Sequence, residues 1–538
     1  MDITNIFGLL GGMGLFLFGM KLLSDGLELV AGSKMKRVLG VLTKNRVLAA
    51  LAGIVVTALI QSSATTCVMT VGFVNAGLIN LSQAIGIIMG ANIGTTITGQ
   101  LITFKMSAIA PIFIGIGVFL TLFVKKTIIK QWGQIITGLG MLFVGLSTMS
   151  TAMSPLGDIP EFKNLLMSFS NPLLGIVFGI VFTVVLQSSA AVTGILIALA
   201  SAGSLTTLDN AIYILLGMNI GTCLTTIVAS IGASKAARRT AVVHLLFNLI
   251  GTAIFIPIVM FLPYTDWIAS FSGSIERQIA NAHTIFNVAT TLVLLPLGTP
   301  LAKLTYLIIP GEDKKSEDMK MKYIDERLLR TPPIAVGYVK KEVERLGVLA
   351  RNTIHDAFDV MLKNTKDSID VVLNNENTID YIENELTKYM IRLSACELSA
   401  RDSRLISKYL HVVNDLERVG DHAENVVEAM QKMQAGNLTF SPSANEELSR
   451  LVEKIEFLFD ESLIVLRSQT FDKELDFRIR ITEQNIDDLT REFRDNHVER
   501  LAKGKCSPEQ GVVFVDLLIN LERVADHACN IALNMEEI

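Results

Sequence analysis

The sequence predicts an all-α protein: a multi-pass helical membrane domain of two inverted repeats with re-entrant hairpins, followed by a soluble helical domain. Three observations carry this. Half of the 538 residues are apolar and the mean hydropathy is +0.47; apolar stretches of about 20 residues, the length that spans a bilayer, recur as far as Ile308. The charge then changes sign, because residues 1–309 hold 16 basic and 8 acidic side chains and residues 310–538 hold 31 and 44. Each part also repeats itself.

The chain opens with MDITNIFGLLGGMG, which has no basic stretch before its apolar run. The first helix, 6–30, is therefore expected to be retained rather than cleaved. Segment 47–80 follows, with the polar cluster LIQSSATT (Leu59–Thr66) set inside aliphatic sequence. Helices are expected at 82–103, 106–124 and 131–153. A second cluster, LQSSAAV (Leu186–Val192), lies inside segment 170–203, and helices at 208–231, 240–262 and an extra one at 281–308 complete the membrane part.

At an offset of 126 residues Gln61 meets Gln187, GMGLFLFG (Gly12–Gly19) meets GLGMLFVG (Gly138–Gly145), and Asn75–Gly77 meets Ser201–Gly203. One inserted residue later, GANIGTT (Gly90–Thr96) meets GMNIGTC (Gly217–Cys223). The membrane domain, 1–309, thus contains repeat one at 1–126 and repeat two at 127–262.

Basic residues in short loops mark the cytoplasmic side. Three clusters serve here: Lys34, Lys36, Arg37, Lys44 and Arg46; Lys125, Lys126 and Lys130; Lys235, Arg238 and Arg239. All three are cytoplasmic if 47–80 and 170–203 are hairpins that enter and leave on one face. The first hairpin then enters from inside and the second from outside, as in inverted-repeat transporters. The N-terminus and Lys105 fall outside the cell.

Buried amides and hydroxyls cost free energy unless partnered, and a hairpin tip at membrane depth is tolerated only against protein or a water-filled cavity. Hairpins from opposite sides bring the two QSSA tips together near the midplane. A break at Gln61–Ser63 starts a helix whose free N–H groups attract an anion. Hydroxyl and carbonyl oxygens, with the side chains of Asn92 and Asn219, are hard ligands suited to an alkali cation. No Asp or Glu occurs between Glu28 and Asp158, so a cation there is expected beside a bound anion rather than in an acidic proton relay. A lone Ser-Ser-Ala more often serves helix packing; the adjacent Gln and the repeat in register favour a site. The glycines of GLLGGMG and GLGMLFVG are read as packing residues. His and Asn four apart in HLLFN (His244–Asn248) and HTIFN (His283–Asn287) are read as interhelical hydrogen-bonding groups.

Repeated QSSA, each copy followed by Asn-Ile-Gly-Thr, resembles the type II sodium/phosphate cotransporter family over residues 1–308. The resemblance implies sodium-coupled symport of inorganic phosphate into the cell. Phosphate would be held by Gln61, Ser62, Ser63, Gln187, Ser188 and Ser189, with Asn92 and Asn219 as further candidates. Sodium would be coordinated by Gln187, Ser188, Ser189, Thr222 and Thr225, with Thr95 and Thr98 at the symmetric positions. Ala64 and Ala190 stand where a third serine is common in that family.

Beyond a charged linker, 310–338, the pattern is amphipathic helix throughout, in a domain of 339–538. NDLERVGDHAEN (Asn414–Asn425) repeats as INLERVADHACN (Ile519–Asn530), and ENTID (Glu376–Asp380) as EQNID (Glu483–Asp487), giving halves at 339–436 and 440–538. Four E-x-x-x-D pairs result: Glu376/Asp380, Glu417/Asp421, Glu483/Asp487 and Glu522/Asp526. Spacing of four puts both carboxylates on one helix face, where like charges call for a compensating divalent metal or iron; the alternative is a solvated face balanced by Arg418 and Arg523. His422 and His527 are further candidate ligands. This half resembles the PhoU family of phosphate-transport regulators, tandem three-helix bundles in which such motifs bind metal clusters.

Five cysteines without a CxxC pair point to a reducing compartment. The expected protein is a plasma-membrane phosphate importer with its PhoU-like domain in the cytoplasm. Its expected partners are phosphate, sodium, the lipid bilayer, a second copy in a homodimer and a cytoplasmic regulatory protein, and no nucleic acid. The alternative is a phosphate-sensing membrane receptor that signals through the PhoU-like domain without net transport. An enzyme is not expected, since no P-loop, catalytic triad or zincin motif is present.

Overall fold

The computed structural model describes residues 3–41, 45–104, 106–311, 321–363, 368–468 and 473–536, with backbone alone for 31–41. Lys44, Lys105, the side chains of Lys34, Lys36 and Arg37, and stretch 312–320 of the expected linker lie outside the described residues. Among the described residues every element is helical. Contacts divide the chain into two units: Met1–Lys315 with Asp325–Ile334, and Ser316–Ile324 with Ala335–Ile538.

The first unit begins with α1 (Ile3–Val41). Asn45 then starts α2 (Arg46–Ile60) by accepting the Leu48 N–H at 2.8 Å. α2 stops at Gln61, which turns left-handed at φ 56°, and an extended Ser62 caps α3 (Ser63–Asn75). Asn80 and Gln83 form a reciprocal cap at the start of α4 (Leu81–Ile102), and α5 (Ala110–Phe123) and α6 (Thr127–Met153) follow. After a short α7 (Pro160–Ser168) the same local geometry recurs. α8 (Pro172–Leu186) ends at Gln187 with φ 52°, and extended Ser188 caps α9 (Ser189–Ser201). Then come α10 (Asp209–Ala229), α11 (Lys235–Phe261) and the short α12 (Tyr264–Phe271).

One expectation is corrected here. Residues 281–308 are not a single helix: α13 (Ile275–Leu294) and α14 (Gly298–Ile308) meet at 86°. Pro296 lies in the break and Pro300 in the first turn of α14, and a proline both removes a helical N–H and clashes with the preceding turn. α7 and α8 likewise meet at 100°, just before Pro172. Among the described residues five helices are long and apolar enough to cross a membrane, or up to seven if each bent pair counts as one span.

Small residues let these helices touch backbone to backbone, the usual mode of packing in lipid. A methyl at Gly19 of α1 would stand 2.7 Å from the Gly138 oxygen of α6, and one at Gly217 of α10 would stand 2.1 Å from the Ile176 oxygen of α8. In the glycine-rich runs Gly12, Gly19, Gly138 and Gly145 lie against backbone of the facing helix, whereas Gly11 and Gly14 meet open space. Outward faces keep their apolar side chains exposed, for example Phe119 and Leu122 on α5 and Leu173 and Val185 on α8. Such continuous apolar faces suit hydrocarbon rather than water.

Residues 325–334, expected within a linker, belong to the first unit. The buried Asp325 carboxylate accepts the Asn75 amide at 2.7 Å and pairs with Arg327 at 2.7 Å. Arg327 also donates to the Ala229 carbonyl at the end of α10, and Leu328 is fully buried beside Gly72. The Asn75 oxygen accepts the Ser234 N–H at 2.9 Å, and Arg239 donates to the Ile309 carbonyl at 2.9 Å. The ends of α3, α10 and α14 and the start of α11 thus meet on one face. Burying Leu328 alone is worth about 1.5–3 kcal/mol. Truncation after Ile334 is therefore expected to leave the unfolding midpoint of this unit unchanged, whereas truncation after Gly311 lowers it by several degrees in a thermal melt.

Among the described residues the second unit holds six helices: α15 (Pro332–Lys363), which enters it at Ala335, α16 (Ile369–Ser394), α17 (Ala400–Ala435), α18 (Pro442–Ser468), α19 (Lys473–Ala502) and α20 (Pro508–Leu533). Buried residues at a spacing of three and four, such as Val343, Leu346, Ala350, Ile354 and Ala357 on α15, give each helix one apolar stripe.

Candidate functional site

Both breaks in the first unit have a cause in the residues. Ser62 Oγ accepts the Thr65 N–H at 3.2 Å and Ser188 Oγ accepts the Ala191 N–H at 3.1 Å. Each serine thereby stops one helix and opens the next. The first backbone N–H groups of α3 and α9 have no partner within their own helices. These two starts line one cavity of about 230 Å³.

Nine of the twelve residues expected in the membrane site line that cavity: Gln61, Ser62, Ser63, Thr95, Gln187, Ser188, Ser189, Thr222 and Thr225. Thr98, Asn92 and Asn219 do not. Thr98 instead donates to the Gln61 side-chain oxygen at 2.7 Å and fixes its orientation. Asn92 and Asn219 are buried and donate to the Ile88 and Leu215 carbonyls one turn back, at 2.9 and 3.0 Å. Asn219 Oδ1 also meets His283 Nε2 at 3.2 Å, which ties α10 to α13, whereas the Asn92 bond stays within α4. The halves differ at one point: among the described residues Gln187 has no counterpart of the Thr98 bond, and both Gln187 and Thr225 face the cavity.

Three polar lining residues escaped the sequence reading: Lys21 and Ser24 of α1, and Thr183 of α8. Lys21 is the one charged side chain in the lining, and among the described residues it makes no ion pair. The signal was present, since a charge inside a spanning apolar helix is a functional candidate by default. Thr183 Oγ1 is buried without a hydrogen-bond partner. An anion entering here meets one ammonium, several hydroxyls and two helix N-termini; a cation meets only neutral oxygens.

In the second unit, carboxylate oxygens of Glu376, Asp380 and Asp421 all lie within 4.8 Å of one another, and those of Glu483, Asp487 and Asp526 do the same. Each cluster joins one E-x-x-x-D helix to the aspartate of the next. Glu417 and Glu522 stand outside these groups, each facing an arginine at 3.6 Å, Arg418 and Arg494 respectively. Glu376 is pushed up to about 7 by burial and then by Glu424, Asp380, Asp421 and Glu417. Burial and neighbouring acids also raise Glu483 and Asp526. Three hard oxygen donors whose mutual repulsion is only partly relieved, in the first cluster by Arg418 at 3.6 Å from Asp421, fit a divalent metal or iron. His422 and His527, the further candidate ligands, lie outside both groups. His422 bonds Asn520 at 2.9 Å, His527 bonds Asp415 at 3.0 Å, and their rings stack across α17 and α20.

Fold and site together define a multi-span helical membrane protein with a polar internal cavity, extended by a helical domain bearing two acidic clusters. The model of the Na+/Pi-cotransporter family matches residues 15–151 and 158–265, and that of the PhoU domain matches residues 343–430 and 448–535. The chain belongs to the Na+/Pi-cotransporter family and carries PhoU domains at its C-terminal end. Among its relatives, YjbB of Escherichia coli (strain K12), named as a candidate inorganic phosphate export protein, is 27% identical over 98% of this chain and 97% of its own length. The uncharacterized protein YqeW of Bacillus subtilis (strain 168) is 33% identical over 55% of this chain and 96% of its own. A PhoU homolog of the phosphate-specific transport system of Clostridium acetobutylicum is 24% identical over 35% of this chain and 85% of its own.

Proposed function

We propose that this protein moves inorganic phosphate across the plasma membrane together with sodium, both bound in the cavity between the two broken helices. The observation that carries this reading is the convergence of two serine-capped helix starts and Lys21 on one cavity without a carboxylate. Helix N-termini and an ammonium favour the anion. Gln187, Ser188, Ser189, Thr222 and Thr225 supply neutral oxygens for sodium, with Thr95 on the opposite wall. Sodium gains most there when phosphate is already bound, which couples the two.

An inverted arrangement of the halves draws support from α10. Ser201 ends α9 just before the start of α10, whereas Asn75 ends α3 beside Ala229 and Ser234 at its other end. At 1.5 Å per residue the two arms finish about 31 Å apart along α10. The face carrying Arg238 and Arg239 is where the chain leaves for the PhoU domains, which favours a cytoplasmic position for them. There the two carboxylate triads would hold metal and restrain transport.

An inward sodium gradient makes uptake the driven direction. The full-length likeness to a protein named for phosphate export favours a second reading, in which the same cavity runs outward when internal phosphate is high. Radiolabelled phosphate in proteoliposomes separates the two. Uptake that requires an inward sodium gradient is expected; efflux from loaded vesicles that ignores sodium supports export, and no movement in either direction leaves a receptor.

A further inference from the structure

A second cavity, of about 280 Å³, lies at one end of the second PhoU repeat, where the loop before α18 meets the α19–α20 turn. His497, Arg500, Lys505, Cys506 and Ser441 are among its lining residues, and no carboxylate lines it. His497 is only 4% exposed, yet neither ring nitrogen has a hydrogen-bond partner. Arg500 spends its two terminal nitrogens on Glu447 at 2.8 and 2.7 Å, which leaves a buried Nε–H without a partner. Among the described residues Lys505 makes no ion pair. The positive end of α20, capped by Ser507, lies at the same turn.

The first repeat shows that this opening is not a by-product of the bundle. EVERL (Glu342–Leu346) corresponds to ELSRL (Glu447–Leu451) at the 105-residue offset that also aligns Glu417 with Glu522. Glu342 is fully buried and accepts the backbone N–H groups of Lys322 and Tyr323 at 3.1 and 2.7 Å. Arg345 pairs with Glu342 as well, and the backbone at 322–323 closes over it. In the second repeat, among the described residues, side chains alone hold Glu447 and a cavity remains.

We propose that this cavity binds a small phosphate-bearing anion, inorganic phosphate or a phosphate monoester, separately from both carboxylate clusters. The buried, unpartnered donors on Arg500 and His497 need an acceptor, and burial leaves water a poor one; the exposed Lys505 adds a positive charge to the same lining. Charge-assisted bonds to phosphate oxygens are the strong solution. The volume lies just below that of drug-sized pockets, which limits the ligand to a small one. Burial and then Arg500 lower the His497 pKa, so the ring offers one donor and one acceptor. Inorganic hydrogen phosphate, and a phosphate monoester held near its second pKa of about 6, carry an O–H for that acceptor; sulfate carries none.

Cys506 lines the cavity and Cys396 is equally half-buried elsewhere, so the two thiols report site and background in one molecule. Full-length protein in detergent is alkylated with N-ethylmaleimide, and each cysteine is quantified by peptide mass spectrometry. Inorganic phosphate or glycerol phosphate at about ten times its Kd is expected to slow Cys506 about tenfold without changing Cys396. Lys505→Gln removes the protection, while Asp421→Asn and Asp526→Asn together keep it. A Cys506 rate indifferent to both phosphates overturns the proposal. So does equal protection by sulfate, a parallel change at Cys396, or protection that survives Lys505→Gln.

Discussion

Lys21→Glu is expected to abolish phosphate transport by normally inserted protein, Lys21→Gln to reduce it about 10–100-fold, and Lys21→Arg to retain most of it. Among the described residues Lys21 is the one charge lining the membrane cavity, together with the starts of α3 and α9. A hydrogen bond to a charged group contributes about 1.5–3 kcal/mol, which sets the scale for glutamine. Reversal adds repulsion between a carboxylate and the anion in a site with little water. Initial rates of radiolabelled phosphate movement in proteoliposomes, at matched protein density, provide the measurement. Wild-type rates in Lys21→Glu would place the substrate elsewhere.

The second large effect concerns the acidic clusters. Glu376 titrates at about 7, above its ordinary 4.5. A carboxyl raised in the fold contributes stability that is complete below about pH 4.5 and lost as pH passes about 7. Metal-free full-length protein is therefore expected to show a higher melting transition for its PhoU domains at pH 5.5 than at pH 7.5. Divalent metal should stabilise the same transition at pH 7.5, since binding to the folded state alone raises its stability. Replacing Glu376, Asp380 and Asp421 by their amides should raise the metal-free midpoint by about 2–4 °C for each kcal/mol of repulsion removed and abolish the metal effect. A midpoint lowered by neutralisation would mean that these carboxylates are held by partners other than metal.

Much of this was legible without coordinates, for reasons that are local. A glutamine and two serines inside an aliphatic run cannot be buried unpaired, so a helix break at Gln61–Ser62 and again at Gln187–Ser188 follows from elementary costs. Spacing of four places Glu376 and Asp380 on one helix face before any packing is known. The prolines at 296 and 300 carried the signal for the bend between α13 and α14, but an apolar run of spanning length outweighed it.

What stayed hidden depends on approach between distant segments. Lys21 lies 40 residues from Gln61 and 166 from Gln187; only the glycine contacts of α1 with α6, and the packing of α1 beside α2, bring it to the serines. Asn92 and Asn219 sit in the same motif as Thr95 and Thr222, yet their side chains turn back to the Ile88 and Leu215 carbonyls, a choice set by which face of α4 and α10 is buried. The charged residues Asp325 and Arg327 read as linker until Asn75 and the end of α10 supply their partners. Local pattern decides where a chain must break and which side chains share a face. Which of those faces meet, and so which atoms enclose a cavity, is decided by close backbone packing between segments that no short-range pattern relates.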